Sequence, residues 1–346
     1  MKSAVSLGIA ATILALMFIA PGCDRATDPV VIDKGFNFLL HNRCCVRNFF
    51  VFNTKERTIT DSFMLPEVGL PPELSADGRL IYVPAESLLV YNLATKALEF
   101  SLPYRFAIDV SSSSDNVHLA VLDRDSGLYV LTVPTYDVKF RNTVPGIGAR
   151  FSSDGSELYY WDYTVLWRYA ISDTIGLIDS FVRPLGINGQ IRGDPSREKL
   201  YSYALDPYGP INVVQFEVYD MKTWTRTFVF PVSAGQGGLA LSPDGRFAFF
   251  TNSGGLIGPT GDQKIRVYSS EDDSIIAEIE TLLQIPGTPQ GTPGLMRVSP
   301  DSRWLVAASA PAGGNVTLID LESMQLDTII NLGNRNHSVL WITVHK

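Results

Sequence analysis

The stretch LSPDGRFAFFTN, from Leu241 to Asn252, joins a tight turn to an apolar strand and recurs along the chain. Pro243 sets the first corner of a type I turn, and Gly245 takes the left-handed conformation that closes a short hairpin loop. Close copies of this phrase are LSADGRLIYV from Leu74 and FSSDGSELYYW from Phe151, and VSPDSRWLVAAS from Val298 is a weaker copy with Ser302 in place of the glycine. A single copy would indicate one hairpin, whereas several copies indicate a repeated architecture.

Two further copies extend the series. Asp115-Asn116 fits the same turn because Asn tolerates positive φ, and Asp194-Pro195-Ser196-Arg197 is a degraded version. Downstream of each turn a strand ends on an aromatic or β-branched residue, and a short polar turn leads to the next strand. This second phrase reads VFNTKERTIT from Val51, VYNLATKALEF from Val90, VLTVPTYDVKF from Val130, WRYAISDTIGLI from Trp167, VYDMKTWTRTFVF from Val218, VYSSEDDSIIAEI from Val267 and LIDLESMQLDTII from Leu318.

Successive copies lie roughly 40 to 50 residues apart, which is the spacing of four-stranded propeller blades. The first copy lacks a turn phrase, and one strand, HSVLWITV from His337, is left over at the C-terminus. We therefore predict an all-β, seven-bladed β-propeller of four-stranded antiparallel blades. The C-terminal strand completes the first blade and removes the free edges of an open ring. The predicted blades are 33–63 with 336–346, 70–102, 104–140, 146–181, 188–232, 237–281 and 294–331.

The segment DSIIAEIETLLQ from Asp273 also has apolar residues at helical intervals. Its position in the repeat predicts a strand, with Ile275, Ala277 and Ile279 on one face. We take the repeat as the stronger signal.

The chain has 346 residues, of which 45% are apolar and 18% charged, enough to build a sizeable core. Its net charge is −8 and its pI is near 5.1. Binding to nucleic-acid backbones needs clustered Lys and Arg, so this composition argues against a nucleic-acid partner.

The N-terminus has the features of an export signal. Lys2 precedes an apolar stretch that ends in APGC at Cys23, and this resembles a bacterial lipoprotein signal. The resemblance implies a signal peptide at 1–22, a tether at 23–32 lipidated on Cys23, and a single propeller domain at 33–346. The protein would then lie in the cell envelope, anchored to a membrane and facing the periplasm or the cell surface. Ordinary secretion, or retention of the segment as an anchor, is the alternative.

Cys44 and Cys45 are adjacent in the sequence. In an oxidising compartment they could form a strained vicinal disulfide. The alternative is a pair of half-buried apolar residues near a strand turn.

The repeated SPDG turn, followed by strands ending in Tyr-Asp or Ile-Asp, resembles the YVTN-type propellers. That group includes lactonase-like and quinoprotein amine dehydrogenase-like repeat proteins. The resemblance covers essentially the whole mature chain and implies the fold. Lactonase-like relatives imply hydrolysis of a sugar lactone, but their catalytic residues match no positions here, so that activity does not transfer.

A set of charged residues is predicted to lie at the central channel. When the inner strands are aligned on the hydrophobic residue before the turn, the preceding positions are mostly charged in a chain with few charges. These positions are Glu73, Asp109, Arg150, Arg192, Ala240 and Arg297. They are either inter-blade ion pairs, with Asp109 bound to Arg150, or an anion-binding pocket in which the arginines present forked donors.

Long connections are predicted on one face of the disk. The segments 204–212, 252–263, 282–294 and 309–315 are all second hairpins or crossovers, so they should crowd the same face over blades 5 to 7. Loops on a rigid scaffold are where function concentrates, although tolerated insertions would look the same. The candidate binding residues on this face are Tyr208, Asn252, Asp262 and Gln284.

Signals for catalysis are thin. Of the four histidines, His118 is interpreted as a packed strand residue, and His337 would lie near the channel. The chain has no Gly-x-Ser-x-Gly elbow, His-Glu-x-x-His motif or phosphate loop. DRDSG at 123–127 fits a plain turn better than a calcium loop. We therefore assign no catalytic residue, metal ligand or cofactor.

These features favour a lipid-anchored binding or scaffold module for a protein, peptide or glycan. The alternatives are a lactonase-like hydrolase that uses the channel charges and a structural protein of the cell envelope. Fold alone does not distinguish them, because propellers host many unrelated functions.

Overall fold

The computed structural model describes residues 35–42, 48–65, 72–104, 106–182, 186–206, 213–232, 238–251, 264–281, 292–310, 315–331 and 339–345. The chain separates into two units, Met1–Lys34 and Gly35–Lys346, and all described residues belong to the second. The predicted lipidation site Cys23 and the Cys44-Cys45 pair lie outside the described residues.

The described strands form seven four-stranded antiparallel sheets, which confirms the predicted fold class. Blade 1 contains β1 (Asn37–Asn42), β2 (Asn48–Asn53), β3 (Thr58–Met64) and the C-terminal β28 (Val339–His345). Blade 2 contains β4 (Glu73–Leu74), β5 (Leu80–Pro84), β6 (Leu88–Asn92) and β7 (Leu98–Leu102). Blade 3 contains β8 (Ala107–Ser112), β9 (His118–Asp123), β10 (Gly127–Thr132) and β11 (Asp137–Asn142).

The other four blades follow in chain order. Blade 4 contains β12 (Gly148–Phe151), β13 (Glu157–Trp161), β14 (Val165–Ala170) and β15 (Gly176–Val182). Blade 5 contains β16 (Gly186–Asp194), a 3₁₀ turn (Pro195–Arg197), β17 (Lys199–Asp206), β18 (Val213–Asp220) and β19 (Thr225–Val232). Blade 6 contains β20 (Leu239–Leu241), β21 (Phe247–Thr251), β22 (Lys264–Ser269) and β23 (Ser274–Glu280). Blade 7 contains β24 (Thr292–Val298), β25 (Trp304–Ala310), β26 (Asn315–Asp320) and β27 (Gln325–Asn331).

The segment with helical apolar spacing is strand β23, as its place in the repeat predicted. Its neighbour β22 pairs with it along most of its length. Within the described residues, no helix is long and apolar enough to cross a membrane.

The recurring turn is held by the hydroxyl of its serine. In blade 2 the Ser75 hydroxyl donates to the Asp77 carboxylate at 2.6 Å and accepts from the Leu80 N–H at 2.9 Å. Gly78 follows the aspartate at φ 70°, where an L-residue would be strained. The same serine contact recurs at Ser113, Ser152, Ser242 and Ser299. The repeat is therefore a recurring hydrogen-bond motif that sets the first hairpin of blades 2, 3, 4, 6 and 7.

The apolar core is divided among the gaps between blades. Each of the seven clusters of buried side chains among the described residues combines two neighbouring blades. The cluster that joins the last blade to the first packs Phe38 and Phe52 of blade 1 against Trp304 and Val306 of blade 7. Burial of apolar surface therefore closes the ring as well as stabilising each sheet.

The C-terminal strand completes blade 1 as predicted. β28 pairs antiparallel with β1, with Asn37 opposite His345 and Phe38 opposite Val344. The sheet order is β28-β1-β2-β3, so the last strand of the chain is the innermost strand of the first blade. The ring is therefore sealed by hydrogen bonds between the two ends of the propeller.

Candidate binding site in the central channel

The innermost strands of the seven blades surround the centre of the ring. In order around it they are β28, β4, β8, β12, β16, β20 and β24, and each of these strands contacts the next. Side chains that point inward from these strands line a central channel, as in propellers generally.

The strand registers show which inner residues lie at one height. In every blade, the pairing between the third and fourth strands shifts register after one residue of the third strand. The pairing partners of that residue can be followed through the second strand to one residue of the innermost strand. In blade 4, Arg168 at this shift pairs with Tyr159, which pairs with Arg150. The same path in the seven described blades leads to Thr343, Glu73, Ser111, Arg150, Arg192, Ala240 and Arg297. We call these seven residues the channel ring.

One residue of the predicted set lies at another height. In blade 3 the ring position is Ser111, and Asp109 lies two residues earlier on the same strand, about 7 Å along it. The sequence alignment used the hydrophobic residue before the turn, but blade 3 has Ser112 there. Anchoring the alignment on the turn serine, which is Ser113 in this blade, would have identified Ser111.

Asp109 and Arg150 form an ion pair between blades 3 and 4. The Arg150 Nη2 to Asp109 Oδ1 distance is 2.6 Å, and the side chains are 19% and 11% exposed. Arg150 also donates to the carbonyls of Val110 and Ala149, while Asp109 accepts the Ala149 N–H at 3.1 Å. Burial acts to lower the pKa of Arg150, but the carboxylates of Asp109 and Glu73 raise it above its ordinary value. The donors of Arg150 are thus engaged by the protein itself.

Arg192 and Arg297 are held differently. Arg192 Nη1 donates to the carbonyl of Ile191 at 2.7 Å, and Arg297 Nη1 donates to that of Met296 at 3.1 Å. No carboxylate of the described residues lies within 4.0 Å of either guanidinium. Burial and then the charges of Arg297 and Arg150 hold the pKa of Arg192 well below its usual value.

Arg297 shows a smaller effect of the same kind. Burial lowers its pKa, and the charge of Glu73 opposes that change only in part. Both guanidiniums are half-buried and keep donor groups that the described protein atoms do not use.

Glu73 is the acidic member of the channel ring. It is half-buried on the short strand β4, and no described residue forms a hydrogen bond or ion pair with its carboxylate. Burial raises its pKa, although Arg297, Arg150 and Arg192 act in the opposite direction. Among the described channel-ring residues together with Asp109 there are three arginines and two acids, an excess of one positive charge in a protein whose net charge is −8.

Other predicted positions fall partly outside the structure. Tyr208, Asn252, Asp262, Gln284 and His337 lie outside the described residues. His118 is a buried residue of β9, where its Nε2 lies 3.5 Å from Lys139 Nζ. Among the described residues, no group of three or more His, Cys, Asp or Glu side chains is placed to hold a metal ion.

Solved structures share this fold at low sequence identity. A Kuenenia stuttgartiensis hydrazine synthase chain aligns at TM-score 0.58 and 12% identity, covering 80% of this chain and 91% of that one. The protein U3-55K aligns at TM-score 0.60 and 13% identity, covering 78% and 84%. The β-propeller domain of Myceliophteria thermophila Cps50 (Swd1) aligns at TM-score 0.60 and 10% identity, covering 81% and 90%.

No protein-family model matches the chain, and no curated protein is similar to it in sequence. In contrast, 1551 chains of solved structures are similar in fold, so the fold by itself does not select a function. The comparisons and the sheet order together show that the chain is a seven-bladed β-propeller.

Proposed function

We propose that the protein is a lipid-anchored binding or scaffold propeller of an extracytoplasmic compartment. It binds a protein, peptide or glycan partner through the face opposite the serine-anchored turns. The fold is consistent with this role, because β-propellers commonly mediate protein interactions.

The observation that carries this proposal is the position of the strand ends next to the long connections. The residue pairs Asp206 with Val213, Thr251 with Ile265, and Ala308 with Val316 end the second hairpins of blades 5, 6 and 7. In an antiparallel meander these ends lie opposite the first hairpins, which are the serine-anchored turns. The second-hairpin connections of three adjacent blades therefore begin and end on one face.

A rigid support makes such loops useful for recognition. The inter-blade core beneath them stacks Phe216 on Phe250, with ring centroids 3.9 Å apart, and also packs Tyr268 against both blades. Loops fixed at both ends by packed sheets lose less freedom when a partner binds. The apolar segment before Cys23 supports the membrane anchor in the same proposal, because a lipidated Cys23 would hold the propeller at the membrane surface.

The test is affinity capture from the native envelope with the full chain as bait. In the variant, residues 252–264 are replaced by Asn-Gly, a two-residue turn that can join Thr251 of β21 to its paired residue Ile265 of β22. We expect the partner captured by the wild type to be lost with this variant. A Cys23→Ser chain run in parallel should lose its lipid and move to the soluble fraction.

The matched control is Arg79→Glu, an exposed change on the opposite face. It should capture the partner as well as the wild type does. Equal capture by the loop-shortened variant, with its melting temperature unchanged, would refute the placement of the binding surface.

A further inference from the structure

We propose that Arg192 and Arg297 of the channel ring form a binding site for a small oxyanion, a carboxylate or a phosphate group. Between them, blade 6 contributes Ala240, whose methyl group is the smallest side chain of the described channel ring. Because this side chain is so short, there is room on the channel side for two guanidiniums to approach one ligand. Arg150 does not belong to this site, because Asp109 and two carbonyls already bind both of its terminal nitrogens.

The donors of the two arginines suit an oxyanion. A guanidinium presents five N–H groups in a planar fork that matches carboxylate and phosphate oxygens. Each arginine uses one terminal nitrogen to bind the carbonyl of the residue before it. This hydrogen bond holds one terminal nitrogen of the guanidinium in place, and the remaining N–H groups are available to bind a ligand.

The charge balance of the channel points the same way. The Asp109–Arg150 pair is neutral, and Glu73 offsets one of the two remaining arginines, so the described channel residues have one positive charge left over. A half-buried cation without a counter-ion is costly, and an anion in the channel would remove that cost. The depressed pKa of Arg192, which follows from burial and from its cationic neighbours, fits this imbalance.

Glu73 acts in this site as a competing anion. Its carboxylate is the acidic group of the described channel ring, and its charge interacts most strongly with Arg297. Removing its charge should therefore strengthen the binding of an external anion. The opposite signs expected for the arginine and glutamate variants separate an anion site from a general structural role.

The experiment measures thermal stabilisation of the full chain by sodium phosphate, sulfate and acetate, titrated against chloride at constant ionic strength. Comparing phosphate and sulfate with acetate distinguishes a tetrahedral from a planar ligand. We expect stabilisation by at least one of these anions. Arg192→Gln and Arg297→Gln should each weaken the apparent affinity at least about tenfold, because each removes a charged donor.

Two further variants complete the design. Glu73→Gln should strengthen the affinity about threefold or more, since it removes the competing charge. Arg79→Gln, exposed and outside the channel, should leave the affinity unchanged. The proposal is overturned if no oxyanion stabilises the wild type, or if the arginine variants respond as the wild type does. If an arginine variant does not fold, the Glu73→Gln variant decides: an affinity for the oxyanion that is unchanged or weaker than that of the wild type overturns the proposal.

Discussion

At the scale of single residues, Glu73 is a carboxyl group that folding makes harder to ionise. Burial raises its pKa, and the carboxylate of Asp109 adds to the effect, while Arg297, Arg150 and Arg192 reduce it. A raised pKa in the folded state means that the folded protein holds the proton more tightly than the unfolded chain does. The cost to stability is absent below the unfolded pKa and grows as the pH rises toward the folded pKa.

This sign leads to a prediction for Glu73→Gln. The variant should be more stable than the wild type at pH 7, which lies well above the pKa of the carboxyl group in the unfolded chain, and the advantage should vanish near pH 4. Denaturant unfolding at both pH values measures the difference. If the variant is less stable than the wild type at pH 7, the attraction between the arginines and the Glu73 carboxylate outweighs the free-energy cost of burying that charge.

The sequence alignment identifies five of the six inner-strand residues that share one height in the ring, but it places Asp109 at the wrong height. The charges stand out because inward positions alternate along strands and the chain has few charges elsewhere. Asp109 was placed two residues off because Ser112 interrupts the hydrophobic pattern of blade 3. The sequence also does not predict that Arg150 is ion-paired while Arg192 and Arg297 are not, because this difference depends on the contact between Asp109 and Arg150.

At the scale of elements, close packing between strands of adjacent blades limits the size of the side chains that some positions can hold. A Cβ built on Gly193 of β16 would lie 2.1 Å from Cζ of Tyr159 on β13. The Tyr159 ring is fully buried, and its hydroxyl donates to Glu157 Oε2 at 2.6 Å. The ring cannot move without breaking that bond, so the glycine is required by the approach of blade 5 to blade 4.

We therefore predict that Gly193→Ala is destabilising. Overpacking of a well-filled core costs about 1–3 kcal/mol, and the free energy of unfolding in denaturant should fall by that amount. Gly176→Ala is the matched control, since a Cβ on this exposed strand residue meets nothing within 4 Å. It should change stability by no more than about 0.5 kcal/mol. Equal effects of the two substitutions would contradict the packing argument.

Element prediction succeeded where a turn has a chemical signature. The serine-anchored hairpins were visible because Ser, Asp and Gly each perform a separate task in the turn. The degraded copy in blade 5 also holds, because Asp194 takes the serine's place and its side chain accepts the Ser196 N–H. The long connections carry no such signature, so their sequence predicts their face but not their contacts.

At the scale of the whole molecule, closure depends on one strand. β28 supplies the inner edge of blade 1 and contacts both β24 of blade 7 and β4 of blade 2. We predict that deleting residues 337–346 leaves β1 with an unpaired edge and exposes the core between blades 7 and 1. The truncated chain should aggregate in size-exclusion chromatography and lose its cooperative thermal transition.

A circular permutant provides the control for this deletion. Because Asn37 lies opposite His345, a short turn can join the two strands as a hairpin. New termini between Thr143 and Val144, in the crossover from β11 to β12, keep every strand in the chain. This permutant should stay monomeric with a cooperative transition. If the truncated chain behaves in the same way, the closing strand is not needed for stability.

The number and arrangement of the blades can be predicted because the same sequence phrase recurs in every blade. Seven copies of one phrase fix the blade number even when individual copies are weak, and the unmatched strand at His337 indicates the closure. Function is not repeated in this way. It depends on positions where single blades differ, such as Ala240 in place of a charged residue.

The pairing of β28 with β1 also has a consequence in time. The strand that finishes the first blade follows all the other propeller strands in the chain, so the ring cannot close until that strand has left the ribosome. A nascent chain therefore stays open while it is made. A chain that stops before β28 keeps an unpaired strand edge on β1 that proteases can recognise, and only chains that contain β28 become resistant.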